Sequence, residues 1–267
     1  MSKEATIYLI DVTNRDGVQT SRLGLAKLQK TIINLMLGEM GIFQSEFGFP
    51  ITRHETNYLR ANLELAQMGV LTPIRLGGWL RAITRDVERS FDTVPEIQHL
   101  NMSISTSEQM INGKFQGRKT RQDIIDGLIE AVKLAKAKGA LSIGVNAEDA
   151  SRTDLSFLID FATAARDAGA DRIRYCDTLG YDDPFLLYDR IHALAKAVQI
   201  PIELHCHNDL GMAVACSVAG AKGAIDAGVD AYITPPSMAW ASGQEMRIWY
   251  PQSWPSLNLV AWQGAIA

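Results

Sequence analysis

Two histidines flank a cysteine in the run His205-Cys206-His207-Asn208-Asp209, which follows the mostly apolar stretch Ile200 to Leu204. On an extended strand, residues two apart share a face, so the two imidazoles point the same way and Cys206 points the other. Two imidazoles side by side at a strand end are half of a metal site. A carboxylate partner is on offer far upstream, where "DVTNRDGVQ", residues 11 to 19, places Arg15, Asp16 and Gln19 after another apolar run. One carboxylate and two imidazoles suit a divalent ion that keeps positions open for substrate, without fixing which ion. Three further segments put polar groups just past apolar runs: "GVNAEDASR" with Glu148, "YCDTLGY" with Asp177 and Thr178, and "SEFGFP" with Glu46.

Singly, each of these has an ordinary structural reading. An H-x-H pair is common on surfaces, R-D-G is a frequent turn, Glu148 reads equally as a helix cap, and Thr178 as a turn residue. What favours chemistry is their joint placement, and that depends on the elements that carry them. Short, β-branched or apolar runs recur at Thr6–Val12, Ile42–Phe47, Pro73–Leu76, Ile97–Ile104, Leu141–Val145, Arg172–Tyr175, Pro201–Leu204 and Ala231–Ile233. Such runs are typical of buried parallel strands. Helical periodicity fills the intervals, at Arg22–Met36, Glu55–Gln67, Arg81–Phe91, Thr120–Lys136, Asp154–Ala165, Pro184–Ala197 and Met212–Asp226,. Eight strands alternating with seven helices predict an α/β fold, a (β/α)8 TIM barrel over residues 1–233,. An open doubly wound sheet is the runner-up, but no Gly-rich dinucleotide fingerprint follows the first strand. In a barrel the C-terminal strand ends share one face, so Asp16 and His205 meet there although about 190 residues separate them,. His192 reads as an ordinary helix-surface residue, and His54 and His99 take no assignment.

Composition narrows the partners. The chain has 267 residues, a formal net charge of −4 and 47% hydrophobic residues, with no dense Lys/Arg cluster. That favours a small-molecule substrate over nucleic acid or an anionic membrane surface. No secretory h-region and no long apolar span are present, and three cysteines without framework spacing fit a reducing, cytoplasmic setting,.

Together, "RDGVQ", "EDASR" and "HCHNDLGMAVA" resemble the signatures of the metal-dependent Claisen condensation and lyase superfamily, whose members include the 2-isopropylmalate, homocitrate and citramalate synthases. The resemblance covers about residues 6 to 233. It implies Asp16, His205 and His207 as ligands of a divalent ion (Mg, Mn or Zn), and Arg15 and Glu148 as catalytic groups. Gln19, Glu46 and Thr178 are implied as substrate-binding residues, with Thr178 holding a substrate carboxylate. The implied reaction condenses acetyl-CoA with a 2-oxo acid. "SEFGFPITRHETNYL" and "VNAEDASRTDLSFL" look most like the nitrogenase-associated homocitrate synthases, which implies 2-oxoglutarate as the acceptor. Asn101 stands where isopropylmalate synthases carry a His, and Gly144 where lysine-pathway homocitrate synthases carry a substrate-binding Arg. The partner of a distal carboxylate is therefore open. The alternatives are an isopropylmalate or citramalate synthase, a related aldol-type lyase, or an inactive remnant or subunit.

The tail departs from the pattern. From Thr234 to Ala267 there are only two charged residues, Glu245 and Arg247, and four of the five tryptophans. The superfamily's N-x-x-x-x-G-x-G-E-R-x-G-N should follow the last strand, and "TPPSMAWASGQEMRIWYP" stands there instead. A coding string for "NTTINGMGERAGNADLVS" that loses its first base reads as Thr234 through Tyr250 and the start of the Pro251 codon. Residues 234–267 are thus expected to be a frameshifted tail replacing the last helix and C-terminal region. The barrel is expected to be incomplete at that end, with apolar surface exposed on its first and last elements. The same reading implies a homodimer of the full-length form, or a complementary subunit.

Overall fold

The computed structural model describes residues 6–20 and 23–234; the expected frameshifted tail, apart from Thr234, lies outside the described residues. Among the described residues, eight strands are separated by eight α-helices, two of them between the fourth and fifth strands and one in each other interval. The strands are β1 (Ile7–Asp11), β2 (Gln44–Gly48), β3 (Arg75–Arg81), β4 (His99–Ser105), β5 (Ser142–Glu148), β6 (Arg172–Asp177), β7 (Ile202–Cys206) and β8 (Ala231–Thr234). The helices are α1 (Lys27–Glu39), α2 (Arg53–Gln67), α3 (Thr84–Thr93), α4 (Glu108–Gly113), α5 (Arg121–Ala137), α6 (Leu155–Ala168), α7 (Pro184–Val198) and α8 (Ala213–Asp226). The strands pair in sequence order as a closed parallel barrel. Ile7, Tyr8 and Leu9 of β1 pair with Ala231, Tyr232 and Ile233 of β8.

Local chemistry sets the helix ends. Thr120 and Asp123 form a reciprocal capping box at the start of α5,. Asp183 accepts from the Phe185 and Leu186 amides at the start of α7, with Pro184 in the first helical position where its missing N–H costs nothing,. Gly169 ends α6 in the left-handed region, at φ 107°,.

The strands divide their side chains between two environments. Leu100, Met102, Ile143, Val145, Ile173, Tyr175, Ile202 and Leu204 belong to the apolar core between sheet and helices, with Phe157, Phe161, Leu187, Ile191 and Leu194. The alternate positions are polar: Glu46, Asn101, Arg172, Arg174 and Glu203 are all buried. They close a ring across the barrel interior. Glu46 accepts from Arg174 Nη2 at 2.8 Å, Arg174 Nε donates to Glu203 at 2.6 Å, and Glu203 accepts from Arg172 Nε at 2.6 Å. Arg172 Nη2 donates to Asn101 Oδ1 at 2.6 Å, and Asn101 Nδ2 donates back to Glu46. Gly144 makes room for this ring. A Cβ there would overlap Asn101 Oδ1 and stand 3.0 Å from the Arg172 guanidinium carbon. Gly144→Ala is therefore expected to cost roughly 2 kcal/mol of stability, measured by denaturant unfolding, because two strongly held groups would have to shift.

The structure corrects several sequence boundaries. β3 reaches Arg81, where the sequence placed Pro73–Leu76 and began a helix at Arg81. Gly77 and Gly78 lie within the strand: a Cβ on Gly77 would meet Gln44, and one on Gly78 would meet Ile97 and Pro50,. β5 and β7 also run further, so Glu148 ends its strand and His205 lies inside one. α4 is an addition, capped by Ser107, which accepts from the Met110 amide.

The expected opening of the sheet is absent, because β8 hydrogen-bonds both of its neighbours. The helices beside it do leave apolar surface: Leu28, Ile32 and Met36 of α1 and Met40 just past it are exposed four residues apart, as are Val214 and Val218 of α8,. No helix among the described residues is long and apolar enough to cross a membrane.

Candidate metal centre and substrate cavity

The loop after β1 folds back on itself. The amides of Arg15, Asp16 and Gly17 all converge on the Val12 carbonyl, at 3.1, 2.8 and 3.1 Å. This tight turn aims Arg15 and Asp16 over the C-terminal mouth of the barrel. On β7, His205 lies within the strand and His207 just past it, where its amide donates to the Asp177 carbonyl at 3.2 Å. The two imidazole rings sit 5.0 Å apart, edge to face. Ligand atoms of Asp16, His205 and His207 all lie within 4.8 Å of one another, and His205 Nε2 is 3.7 Å from Asp16 Oδ2.

These residues fit a divalent ion in more than spacing. Thr234 Oγ1 donates to the Leu204 carbonyl at 2.8 Å, so at 3.0 Å from His205 Nδ1 it serves as an acceptor. The His205 proton is thereby placed on Nδ1, and the Nε2 lone pair faces Asp16. Burial, against the pull of the Asp16 carboxylate, pushes His205 down to about 3, so the ring is neutral at pH 7,. Burial alone would raise Asp16, but the opposing charge led by the Arg15 guanidinium outweighs it and holds the carboxyl below its ordinary range. A neutral imidazole and an ionised carboxylate are the forms that bind metal.

Sixteen residues line a cavity of about 500 Å³ over this centre. Arg15, Asp16, Gln19, Glu148, Thr178, His205 and His207 are among them, so seven of the eight residues singled out from the sequence share one space. The eighth, Glu46, does not line it. Glu46 is fully buried beneath Arg15, pairing with it and with Arg174. Burial would raise the Glu46 carboxyl, but the two guanidinia outweigh it and bring it down to about 2,. It therefore positions Arg15, whose Nη1 also reaches Asp16 at 2.7 Å and whose guanidinium lies 5.5 Å from the Trp79 ring centre.

Glu148 ends β5 opposite Ser105 of β4. Its carboxylate accepts from Ser105 Oγ at 2.6 Å and from Lys114 Nζ at 2.7 Å. The rest of "EDASR" has a structural task. Asp149 adopts a left-handed backbone, at φ 64°, binds Arg152 at 2.6 Å, and donates its amide to Thr178 Oγ1 at 2.9 Å. Asp177 likewise braces a turn, accepting from the amides of Tyr181 and Asp182. Sequence reading missed Trp79, Ser103, Lys114, Asn146, Arg174 and Cys176, all of which line the cavity. Ser103, Asn146, Arg174 and Cys176 carry a legible signal, since each is a polar residue at an alternate position of a strand whose other positions are apolar,.

Comparison with known proteins follows the same lines. The HMGL-like family profile matches residues 6–231. The chain is similar to the citrate (Re)-synthase of Dehalococcoides mccartyi (strain CBDB1), at 63% identity over 227 residues covering 85% of this chain and 55% of that protein. It is also similar to 2-isopropylmalate synthase 2 of Caldanaerobacter subterraneus subsp. tengcongensis, at 44% identity over 220 residues covering 82% of this chain and 55% of that protein. The chain spans about half the length of these curated relatives. Among solved structures, the hydroxymethylglutaryl-CoA lyase of Pseudomonas aeruginosa shares the fold, with a TM-score of 0.66 over 88% of this chain and 78% of that one at 14% identity.

Proposed function

The chain belongs to the HMGL-like family, and from that premise we propose that it condenses acetyl-CoA with oxaloacetate to give citrate and CoA. The observation that carries this reading is the convergence of a two-histidine, one-aspartate centre, Arg15 and Glu148 on one cavity. The 63% identity to a citrate (Re)-synthase supports citrate as the product. Removing an acetyl unit from citrate leaves oxaloacetate, a four-carbon 2-oxo dicarboxylate. The second reading takes 2-oxoglutarate, one carbon longer, and rests on the homocitrate-synthase-like segments around Glu46 and Glu148.

A divalent ion held by Asp16, His205 and His207 would supply Lewis acidity toward the keto group. The remaining work falls to this chain's own side chains. Glu148, held by Lys114 and Ser105, takes a proton from the thioester methyl carbon,. The new carbon–carbon bond forms as that carbon attacks the keto carbon. Arg15 stabilises the negative charge that develops on the keto oxygen until that oxygen takes up a proton, balancing the one Glu148 removed, to become the product hydroxyl. Water then cleaves the thioester and releases CoA. The test is CoA-thiol release by the purified protein with added metal, across oxaloacetate, 2-oxoglutarate, 2-oxoisovalerate and pyruvate. Oxaloacetate should give the highest kcat/KM. Preferential turnover of 2-oxoisovalerate would sink both dicarboxylate readings.

The divergent tail belongs to the same proposal. A frame change after the Ile233 codon is supported by the family match, which runs to residue 231, and by the two-frame reading of residues 234–250. Sequencing the gene across the codons for Ile233 and Thr234 should reveal one additional base. An additional base would mark the loss as a sequencing error, whereas an intact frame with tail peptides identified by mass spectrometry would reject that version and leave only a base loss carried by the gene.

A further inference from the structure

Arg174 is buried, yet it lines the substrate cavity. A guanidinium has five N–H donors. Nε and Nη2 of Arg174 are occupied by Glu203 and Glu46. Nη1 meets a single protein acceptor among the described residues. With the Asn146 amide set so that its oxygen faces donors, Oδ1 accepts from Arg174 Nη1 at 3.3 Å and from Trp79 Nε1 at 3.2 Å,. Asn146 also lines the cavity, so its NH2 group adds a donor to the same wall,.

Strand register extends this into a row. Asn146 pairs with Ser103 on β4 and with Arg174 on β6. Ser103 lines the same cavity. Three donors, a hydroxyl, an amide and a guanidinium edge, therefore stand side by side on β4, β5 and β6. The metal ligands come from the loop after β1 and from the end of β7.

Charge points the same way. Arg15, Arg172 and Arg174 are matched by Asp16, Glu46 and Glu203. The other charged groups lining the cavity are also paired, Lys114 with Glu148 and Arg81 with Asp86. The protein framework is thus neutral, and a divalent ion would bring an excess of two positive charges. A 2-oxo dicarboxylate cancels that excess, whereas a monocarboxylate leaves half of it.

We infer that Ser103, Asn146 and Arg174 form the seat for the far carboxylate of the substrate and restrict the site to 2-oxo dicarboxylates. This rests on the condensation reading for the position of the keto end. The experiment measures binding instead of turnover, so that the two can fail separately. Oxaloacetate and pyruvate differ only in the far carboxylate, and each is titrated calorimetrically into the full chain loaded with Mn²⁺. Oxaloacetate should bind about 100-fold more tightly, as expected for charge-assisted hydrogen bonds in a buried setting.

Asn146→Asp keeps the side-chain shape and the acceptors for Arg174 and Trp79, but turns a negative charge toward the seat. The Kd ratio should collapse from about 100 to near 1. Ser103→Ala, a smaller change that guards against misfolding of the first variant, should lower the ratio about tenfold. No preference in the unaltered protein, or equal weakening of both ligands in the variants, would overturn the inference. A retained preference without CoA release would leave the seat standing and remove the condensation reading.

Discussion

Replacing Asp16 with asparagine is expected to abolish tight binding of a divalent ion and lower the rate of the proposed condensation at least about 1000-fold, roughly 4 kcal/mol of barrier. The size follows from the geometry. Asp16 is the only carboxylate of the three-ligand group, and its Oδ2 lies 3.7 Å from His205 Nε2, so the residue that would supply the anionic ligand is lost. Asparagine keeps an acceptor for Arg15 Nη1, which now contacts Asp16 Oδ1 at 2.7 Å, so the turn after β1 should persist. Circular dichroism should therefore be unchanged while calorimetric metal titration is flat. Metal affinity within threefold of the unaltered protein would remove Asp16 from the ligand set.

The second large effect is on stability. Glu46→Gln should destabilise the barrel by roughly 3 kcal/mol at pH 7, because it removes the anion between Arg15 and Arg174 and leaves three buried guanidinia to share the two carboxylates of Asp16 and Glu203,. The pH dependence has a definite sign. The Glu46 carboxyl is brought from 4.5 down to about 2 in the folded chain. A group depressed in this way stabilises the fold above its unfolded value and loses that contribution as pH falls through its folded value. A shift of that size corresponds to about 3 kcal/mol. The unaltered protein should therefore lose stability more steeply than Glu46→Gln between pH 4.5 and 2. Parallel denaturation curves for the two proteins across that range would show that Glu46 carries no such coupling.

Much of this architecture is legible in the chain. Apolar runs at regular intervals, with helical periodicity between them, specify the barrel. The H-x-H and R-D-G segments are local enough to be seen directly. What the sequence does not display is which polar residues converge from inside different strands. Arg174 and Glu46 are 128 residues apart, and nothing in either segment names the other. Glu46 reads as a substrate contact because it sits at a strand end, but burial makes it a support for Arg15. Lys114 escapes notice because it follows a six-residue helix that a long inter-strand segment conceals. The alternation Arg172-x-Arg174-x-Cys176 was the available clue, since charged residues at every second position of an apolar strand must face a polar interior.

The ring across the barrel also says how the two halves of the chain meet. Through β4, the inward charges are those of Arg15, Asp16 and Glu46, which sum to one negative charge. Among the ring residues from β5 onward they are those of Arg172, Arg174 and Glu203, which sum to one positive charge, Glu148 being paired with Lys114 outside the ring. Each half of the chain thus carries an unbalanced charge toward the other. The Arg174–Glu46 and Arg172–Asn101 bonds, spanning 128 and 71 residues, form only when the halves close on each other. Half-barrels that dock in the wrong order bury those charges unmatched, so the ring selects one circular order of strands during folding and holds the closed product against reopening.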